Sequence, residues 1–129
     1  MSLDVSPQLL AKAEQDQVDE AEFVSLVRTS LPYAYRTVAD LTTRLASTSK
    51  PFVDNTTAPS EVERAQLLRA LASDAIRGAL ERHFNVRLAF QNCHRVAVFP
   101  LGSEATEPFQ RFTSPRSQLL NQSPEFRDC

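Results

Sequence analysis

The stretch "SEVERAQLLRALASDAIRGALERHFNVRLAFQNCHRVAVFP", Ser60 to Pro100, decides the fold of this chain. Apolar residues in its first half recur at helical spacing, and its second half alternates between apolar and polar residues as strands do. Ser60 and Glu63 match the S-x-x-E capping box, so a helix is expected to begin at Glu61. We predict one long helix over Glu61–His83, followed by a β-hairpin.

The predicted helix has one broad apolar face, and its three alanines would let a neighbouring helix approach closely. Asn85 is suited to the left-handed conformation that ends a helix. The apolar face comprises Leu68, Leu71, Ala72, Ala75, Ile76, Ala79 and His83.

The alternation after Asn85 predicts two strands joined by a turn. The turn lies within Gln91 to His94, and Asn92 is the residue best suited to it. An isolated hairpin is marginal in water, so it needs the helix or a partner strand. The exposed edge at Val96–Phe99 could pair across a homodimer. The residues on the covered face are Val86, Leu88, Phe90, Val96 and Val98.

Prolines mark the other helix starts. Ser6-Pro7 and Ser114-Pro115 each place a capping residue before a proline at the first helical position. Pro32 breaks the helical pattern in the first third of the chain, and Ser30 can cap the next helix. We therefore predict a single α+β domain over residues 1–129. It is mostly helical, with four to five helices and one β-hairpin in the C-terminal half, packed on the long central helix.

Two segments lack any periodicity. Ser47–Ser60 contains Ser, Thr, Asn and Asp with two prolines, and it is long for a connection in a compact domain. We predict a flexible loop there, and it could also become ordered on binding. Residues 122–129 are predicted to be a loosely held tail.

Composition excludes several classes of protein. The chain has 129 residues, a formal net charge of -2 and two glycines. Neither GxGxxG nor GxxxxGK[ST] occurs, which argues against the common nucleotide-binding enzymes, and we predict no cofactor. No signal peptide is apparent, and no stretch approaches the roughly 20 apolar residues that span a bilayer. We expect a reduced, cytoplasmic protein without membrane contact, in which Cys93 and Cys129 form no disulfide.

The weak catalytic candidates are Cys93, His83 and His94. A nucleophilic cysteine needs a base within hydrogen-bond reach, and His83 could supply one if the hairpin folds back onto the helix. Adjacent strand residues point to opposite faces, so Cys93 and His94 do not readily share a metal ion. Zinc needs about four ligands at defined spacing, and we predict no metal site.

Arginines in the second half of the chain raise a nucleic-acid alternative. Helices followed by a hairpin have a winged-helix outline, with Arg69, Arg77 and Arg95 as candidate contacts. The negative net charge and the long preceding loop count against it, so we do not expect a nucleic-acid partner.

The stretch "LLRALASDAIRGALERHFNVRLAFQNCHRVAVFPL", with "MSLDVSPQLL" and "QLLNQSPEFRDC", resembles a family of small streptomycete-type proteins of actinobacteria. The resemblance covers nearly the whole chain except the loop around Lys50 to Pro59. It implies a cytoplasmic protein of this size, and it carries over no activity, ligand or catalytic residue.

The sequence favours a non-enzymatic protein-interaction or regulatory module, which acts through a protein partner that the sequence does not identify. Two alternatives stay open. One is a winged-helix-like DNA-binding regulator, and the other is a Cys-dependent enzyme that uses Cys93.

Overall fold

The structure is a computed structural model, and it describes residues 2–55 and 57–121. No helix in these residues is both long enough and apolar enough to cross a bilayer. A short 3₁₀ helix, Ser103–Ala105, follows the last strand. The other elements are α1 (Pro7–Glu14), α2 (Glu20–Ser30), α3 (Pro32–Ala46), β1 (Val53–Asp54), α4 (Glu61–Leu71), α5 (Asp74–Phe84), β2 (Val86–Gln91), β3 (Arg95–Pro100), α6 (Glu107–Phe112) and α7 (Pro115–Leu120).

The three strands form one antiparallel sheet in the order β1-β3-β2. β2 and β3 pair along their full length, with Leu88 opposite Val98. Val53 of β1 lies opposite Val98 from the other side. β3 is therefore the central strand, and β1 and β2 are the two edges.

One face of the sheet packs against the helical layer, which consists of α2, α3, α4 and α5. Burial of this apolar face removes it from water and is the main stabilising contribution to the domain. The alternation predicted for the hairpin is confirmed on this face. Its strand residues are Val53, Val86, Leu88, Phe90, Val96 and Val98.

The opposite face of the sheet carries a second, aromatic cluster. Ala89, Ala97 and Phe99 of the strands pack there against Phe112 of α6, with Phe52 and Phe109 half-buried at its margin. The sheet is therefore covered on both faces, by helices on one side and by aromatic rings on the other.

The predicted architecture of four to five helices with a single hairpin is wrong. The described residues contain seven α-helices and a three-stranded sheet, although the α+β class itself holds. The C-terminal segment contributes two helices, α6 and α7, and the predicted central helix is divided into α4 and α5.

The division of the central helix has a local cause. Ser73 has an extended backbone, and its Oγ accepts a hydrogen bond from the Ile76 N–H at 3.3 Å, so it caps α5. Arg77 Nη1 donates to the Leu71 carbonyl at 3.1 Å, which satisfies one acceptor at the end of α4. A serine at this position therefore starts a new helix where the periodicity alone predicts a continuous one.

The break changes which side chains are buried. Leu68, Ala72 and Ala75 belong to the predicted apolar face, but all three are exposed, and so is His83. The residues that α4 and α5 bury are Leu67, Ala70, Leu71, Ile76, Ala79 and Leu80.

β1 lies inside Ser47–Ser60, the segment predicted to be a flexible loop. Asn55, which follows β1, accepts from the Val96 N–H through Oδ1 at 2.8 Å and donates through Nδ2 to the His94 carbonyl at 2.7 Å. Its backbone N–H also donates to the Val96 carbonyl at 3.2 Å. The Asn55 side chain therefore continues the hydrogen bonding between β1 and β3. A polar residue in this segment forms part of the sheet and does not indicate a loop.

The open edge predicted at Val96–Phe99 is absent, because β3 is the central strand of the sheet. All four residues of this segment are 0% exposed, because β3 is paired on both sides. A second copy cannot reach the backbone of a central strand.

Most of the predicted caps and turns are confirmed. Ser6 caps α1, Ser114 caps α7, and Asn85 ends α5 with φ 57°. Asn92 opens the hairpin turn with φ 55°. The predicted tail, residues 122–129, lies outside the described residues.

The predicted cap at Ser30 is wrong. Ser30 Oγ instead accepts from the Asp4 N–H at 2.9 Å. The first N–H groups of α3 are satisfied from α4, because Gln66 Oε1 accepts from Tyr33 N at 2.7 Å and from Ala34 N at 3.2 Å. A cap supplied from a distant helix leaves no signal in the local sequence.

Replacing Ser73 with alanine distinguishes the divided helix from a continuous one. Loss of an N-cap should lower the free energy of unfolding by about 1 kcal/mol. In a continuous helix the same change would raise it by about 0.5 kcal/mol, because alanine is the better helix former. Urea denaturation measures the sign, and Ser25→Ala at an exposed position inside α2 is the matched control.

Candidate functional site

A pocket of about 470 Å³ opens where the segment before β1, the strand β3 and helices α6 and α7 meet. Its volume lies within the range of roughly 300–1,000 Å³ that is usual for binding sites. We call it the aromatic pocket. Its lining residues are Pro51, Phe52, Arg95, Glu107, Pro108, Arg111, Phe112 and Ser117.

A larger groove of about 560 Å³ runs between α1 and α2. None of its lining residues is aromatic, and α1 contributes no buried residue. The aromatic pocket is the better candidate, because binding sites combine apolar and aromatic walls with a few polar groups.

Two phenylalanines form the apolar wall of the aromatic pocket. The Phe52 ring stacks on the buried Phe99 ring, with centroids 4.7 Å apart, and meets Phe112 edge-on at 5.7 Å. Phe99 also holds Phe112 in an edge contact at 5.8 Å. The wall is therefore fixed from beneath by a residue of the central strand.

The rim of the aromatic pocket carries two ion pairs that differ in their exposure to solvent. Arg95 is bound to Asp54, with Nη2 at 2.6 Å from Oδ2, and its guanidinium lies 4.9 Å from the Phe112 ring centroid. Arg111 pairs with Glu107 one helical turn away, and both side chains are exposed. An exposed pair of this kind contributes little stability, so a partner could replace it at small cost.

Gln91 holds α6 and α7 beside the pocket. Its side chain is buried, and Nε2 donates to the Phe112 carbonyl at 2.5 Å and to Ser117 Oγ at 2.8 Å. Its Oε1 accepts from Arg95 Nη1 at 3.2 Å and from Asn121 Nδ2 at 2.9 Å. Buried amides are costly when unpaired, so this network favours one position for the two short helices.

Cys93 lies in the turn between β2 and β3 and is disulfide-bonded. The expectation that it remains a reduced thiol is therefore wrong for Cys93, and a sulfur in a disulfide is no thiolate nucleophile. Cys129, the chain's second cysteine, lies outside the described residues.

His94 is a buried residue of the same turn, 1% exposed. Burial, and to a lesser extent the positive charges of Arg95 and Arg64, lower its pKa to about 4. The imidazole is therefore neutral at physiological pH, and its burial beside the strand pairing indicates a structural role.

His83 is exposed near the end of α5. Its Nε2 lies 3.3 Å from Tyr35 Oη, and its ring meets Phe84 edge-on at 4.7 Å. The six residues of β2 span roughly 17 Å between this helix end and the turn that holds Cys93. The structure therefore places His83 and Cys93 at opposite ends of β2.

Arg69, Arg77 and Arg95 do not form one basic face. Arg77 is bound to the Leu71 carbonyl and to Asp74, 2.6 Å away. Arg95 faces the aromatic pocket, on the side of the sheet away from the helical layer, whereas Arg69 is half-buried on α4. The break at Ser73 keeps the winged-helix outline, because it leaves two helices, α4 and α5, joined by a short turn and followed by the β2–β3 hairpin.

Sequence reasoning identifies only Arg95 among the residues of the aromatic pocket, and for a different role. Phe52 stands alone in a polar segment, and α6 is too short to show an apolar period. The available signal is compositional, since Phe99, Phe109 and Phe112 follow one another closely in a chain with eight phenylalanines. Such a signal indicates a cluster without indicating a pocket.

No group of three or more His, Cys, Asp or Glu side chains in residues 2–55 and 57–121 is placed to hold a metal ion.

The fold defines a small α+β domain with an aromatic-walled pocket. The family described as "NucS shadow ORF", whose name carries the prefix KH, has a model that matches residues 1–129. The chain belongs to this family, and the match includes the segment around Lys50 to Pro59. No curated protein matches the chain, and no solved structure does.

The stability of the fold should fall in acid because of His94. Its pKa is lower in the folded chain, about 4, than the unfolded value of about 6.5, so the unfolded chain binds more protons between these values. We expect up to about 3 kcal/mol of unfolding free energy to be lost as the pH falls through this window.

Urea denaturation at several pH values measures this loss, and His94→Phe should reduce it. The matched change at the exposed histidine, His83→Phe, should keep it. An equal acid-dependent loss in the His94 variant would contradict the assignment.

Proposed function

We propose that the chain is a non-enzymatic protein-interaction module that binds its partner through the aromatic pocket. The observation that carries this proposal is the fixed aromatic wall, Phe52 and Phe112, beside the exchangeable Arg111–Glu107 pair. Aromatic residues and arginine are enriched where proteins bind one another, since they combine apolar area with directional polar contacts.

The placement of the chemically active side chains supports binding over catalysis. His83 and Cys93 lie at opposite ends of β2, and the neutral His94 is buried. A Cys-dependent enzyme would need a thiolate and a base within hydrogen-bond reach of each other. We therefore favour the interaction module over the enzyme.

The family's name carries the prefix KH, which is also the name of a nucleic-acid-binding module, so nucleic acid must be considered as a partner. A KH module clamps four nucleotides of backbone with a G-x-x-G loop. The only glycines of this chain are Gly78 and Gly102, so it has no G-x-x-G pattern. Together with the net charge of -2, this supports a protein partner over nucleic acid.

We also propose that the protein acts in the cytoplasm of actinobacteria, where the disulfide at Cys93 would be an exception to the reduced state of most cytoplasmic cysteines. The streptomycete-type resemblance of the sequence supports this.

Affinity capture of partner proteins by the wild-type chain and three single-residue variants tests the proposal. Arg111→Glu alters the pocket rim, Phe52→Leu removes a flat ring while keeping apolar volume, and Arg116→Glu is a matched exposed control outside the pocket. We expect a protein that wild type and Arg116→Glu enrich equally and that both pocket variants lose about tenfold, or ~1.4 kcal/mol. Thermal melting checks that each bait is folded.

Two results would argue against the proposed function. In the first, every captured protein is retained equally by all four baits. In the second, the captured material is nucleic acid and its retention falls steeply with salt, as backbone contacts require.

A further inference from the structure

β2 is an edge strand, and half of its backbone groups point away from the sheet. Val96 bonds to Asn55 on the β1 side through its N–H and its carbonyl, so the pairs Phe90–Val96, Leu88–Val98 and Val86–Pro100 are the non-bonded pairs between β2 and β3. Such pairs alternate with bonded ones in antiparallel sheets. Val86, Leu88 and Phe90 therefore direct their N–H and C=O groups toward the open edge.

A carboxylate from the helical layer covers the middle of this edge. Glu81 of α5 accepts the Leu88 N–H through Oε2 at 2.9 Å, and its side chain is 14% exposed. Arg87 Nη1 lies 3.3 Å from the same oxygen, and Arg87 Nε lies 3.5 Å from Glu104. Glu81 thus removes from solvent the N–H at the centre of the strand.

We propose that Glu81 closes the edge of β2 against strand addition by a second copy of this chain. Unpaired edges are templates for further strands, and proteins block them with charged side chains. A carboxylate bound to the central N–H must leave before another strand can use that donor.

The edge of β2 is complementary to itself, which identifies the occupant as a second copy. A two-fold axis at Leu88 would place Leu88 opposite Leu88 and Val86 opposite Phe90, with both pairs able to exchange hydrogen bonds. The same register places Arg87 opposite Ala89. The two arginines therefore avoid each other, and the small alanine leaves room for the long side chain.

Light scattering over a wide concentration range tests this inference with three variants. Glu81→Ala uncovers the Leu88 N–H, so its mass should rise toward twice that of wild type. Glu81→Gln keeps an acceptor oxygen and should behave as wild type. Glu104→Ala removes the other partner of Arg87 without uncovering the N–H, and it should also behave as wild type.

A folded Glu81→Ala chain whose mass stays that of wild type at every concentration would overturn the inference. So would an equal gain in mass by Glu104→Ala. If Glu81→Ala does not fold, hydrogen exchange of the Leu88 amide in dilute wild-type protein provides the test. We expect this amide to be protected, because its N–H donates to Glu81. Free exchange at Leu88 would overturn the inference.

Discussion

The pairing of β3 on both of its sides is the constraint on which the rest of the structure depends. Val96, Ala97, Val98 and Phe99 are all fully buried. Successive residues of a strand point to opposite faces, so both faces of the sheet must be covered. The helical layer covers Val96 and Val98, and the aromatic cluster covers Ala97 and Phe99.

The candidate site follows from this central strand. Phe99 supports the rings of Phe52 and Phe112 from beneath, and Arg95 at the start of β3 binds Asp54 of β1. The β1–β3 pairing thus brings the segment before β1 to the side of the sheet where α6 and α7 pack. The pocket therefore exists only when three segments distant in sequence meet on one strand.

Features that depend on neighbouring residues could be predicted, and features that depend on distant contacts could not. The caps at Ser6 and Ser114 and the turn at Asn92 rest on local backbone chemistry, which the sequence displays. β1 has two residues and exists because β3 pairs with it, so it has no period of its own. The break at Ser73 depends on one capping hydrogen bond, which competes with an otherwise continuous helical pattern.

Hydrogen exchange of the β3 amides tests the central strand most directly. Ala97 and Phe99 face β2, whereas Val96 and Val98 face β1, where Asn55 Oδ1 accepts from the Val96 N–H. Slow exchange at all four amides is the predicted result, because a paired and buried amide is released only by substantial unfolding. Rapid exchange at Val96 and Val98, with protection confined to Ala97 and Phe99, would show a two-stranded hairpin with a free edge and would contradict the three-stranded sheet.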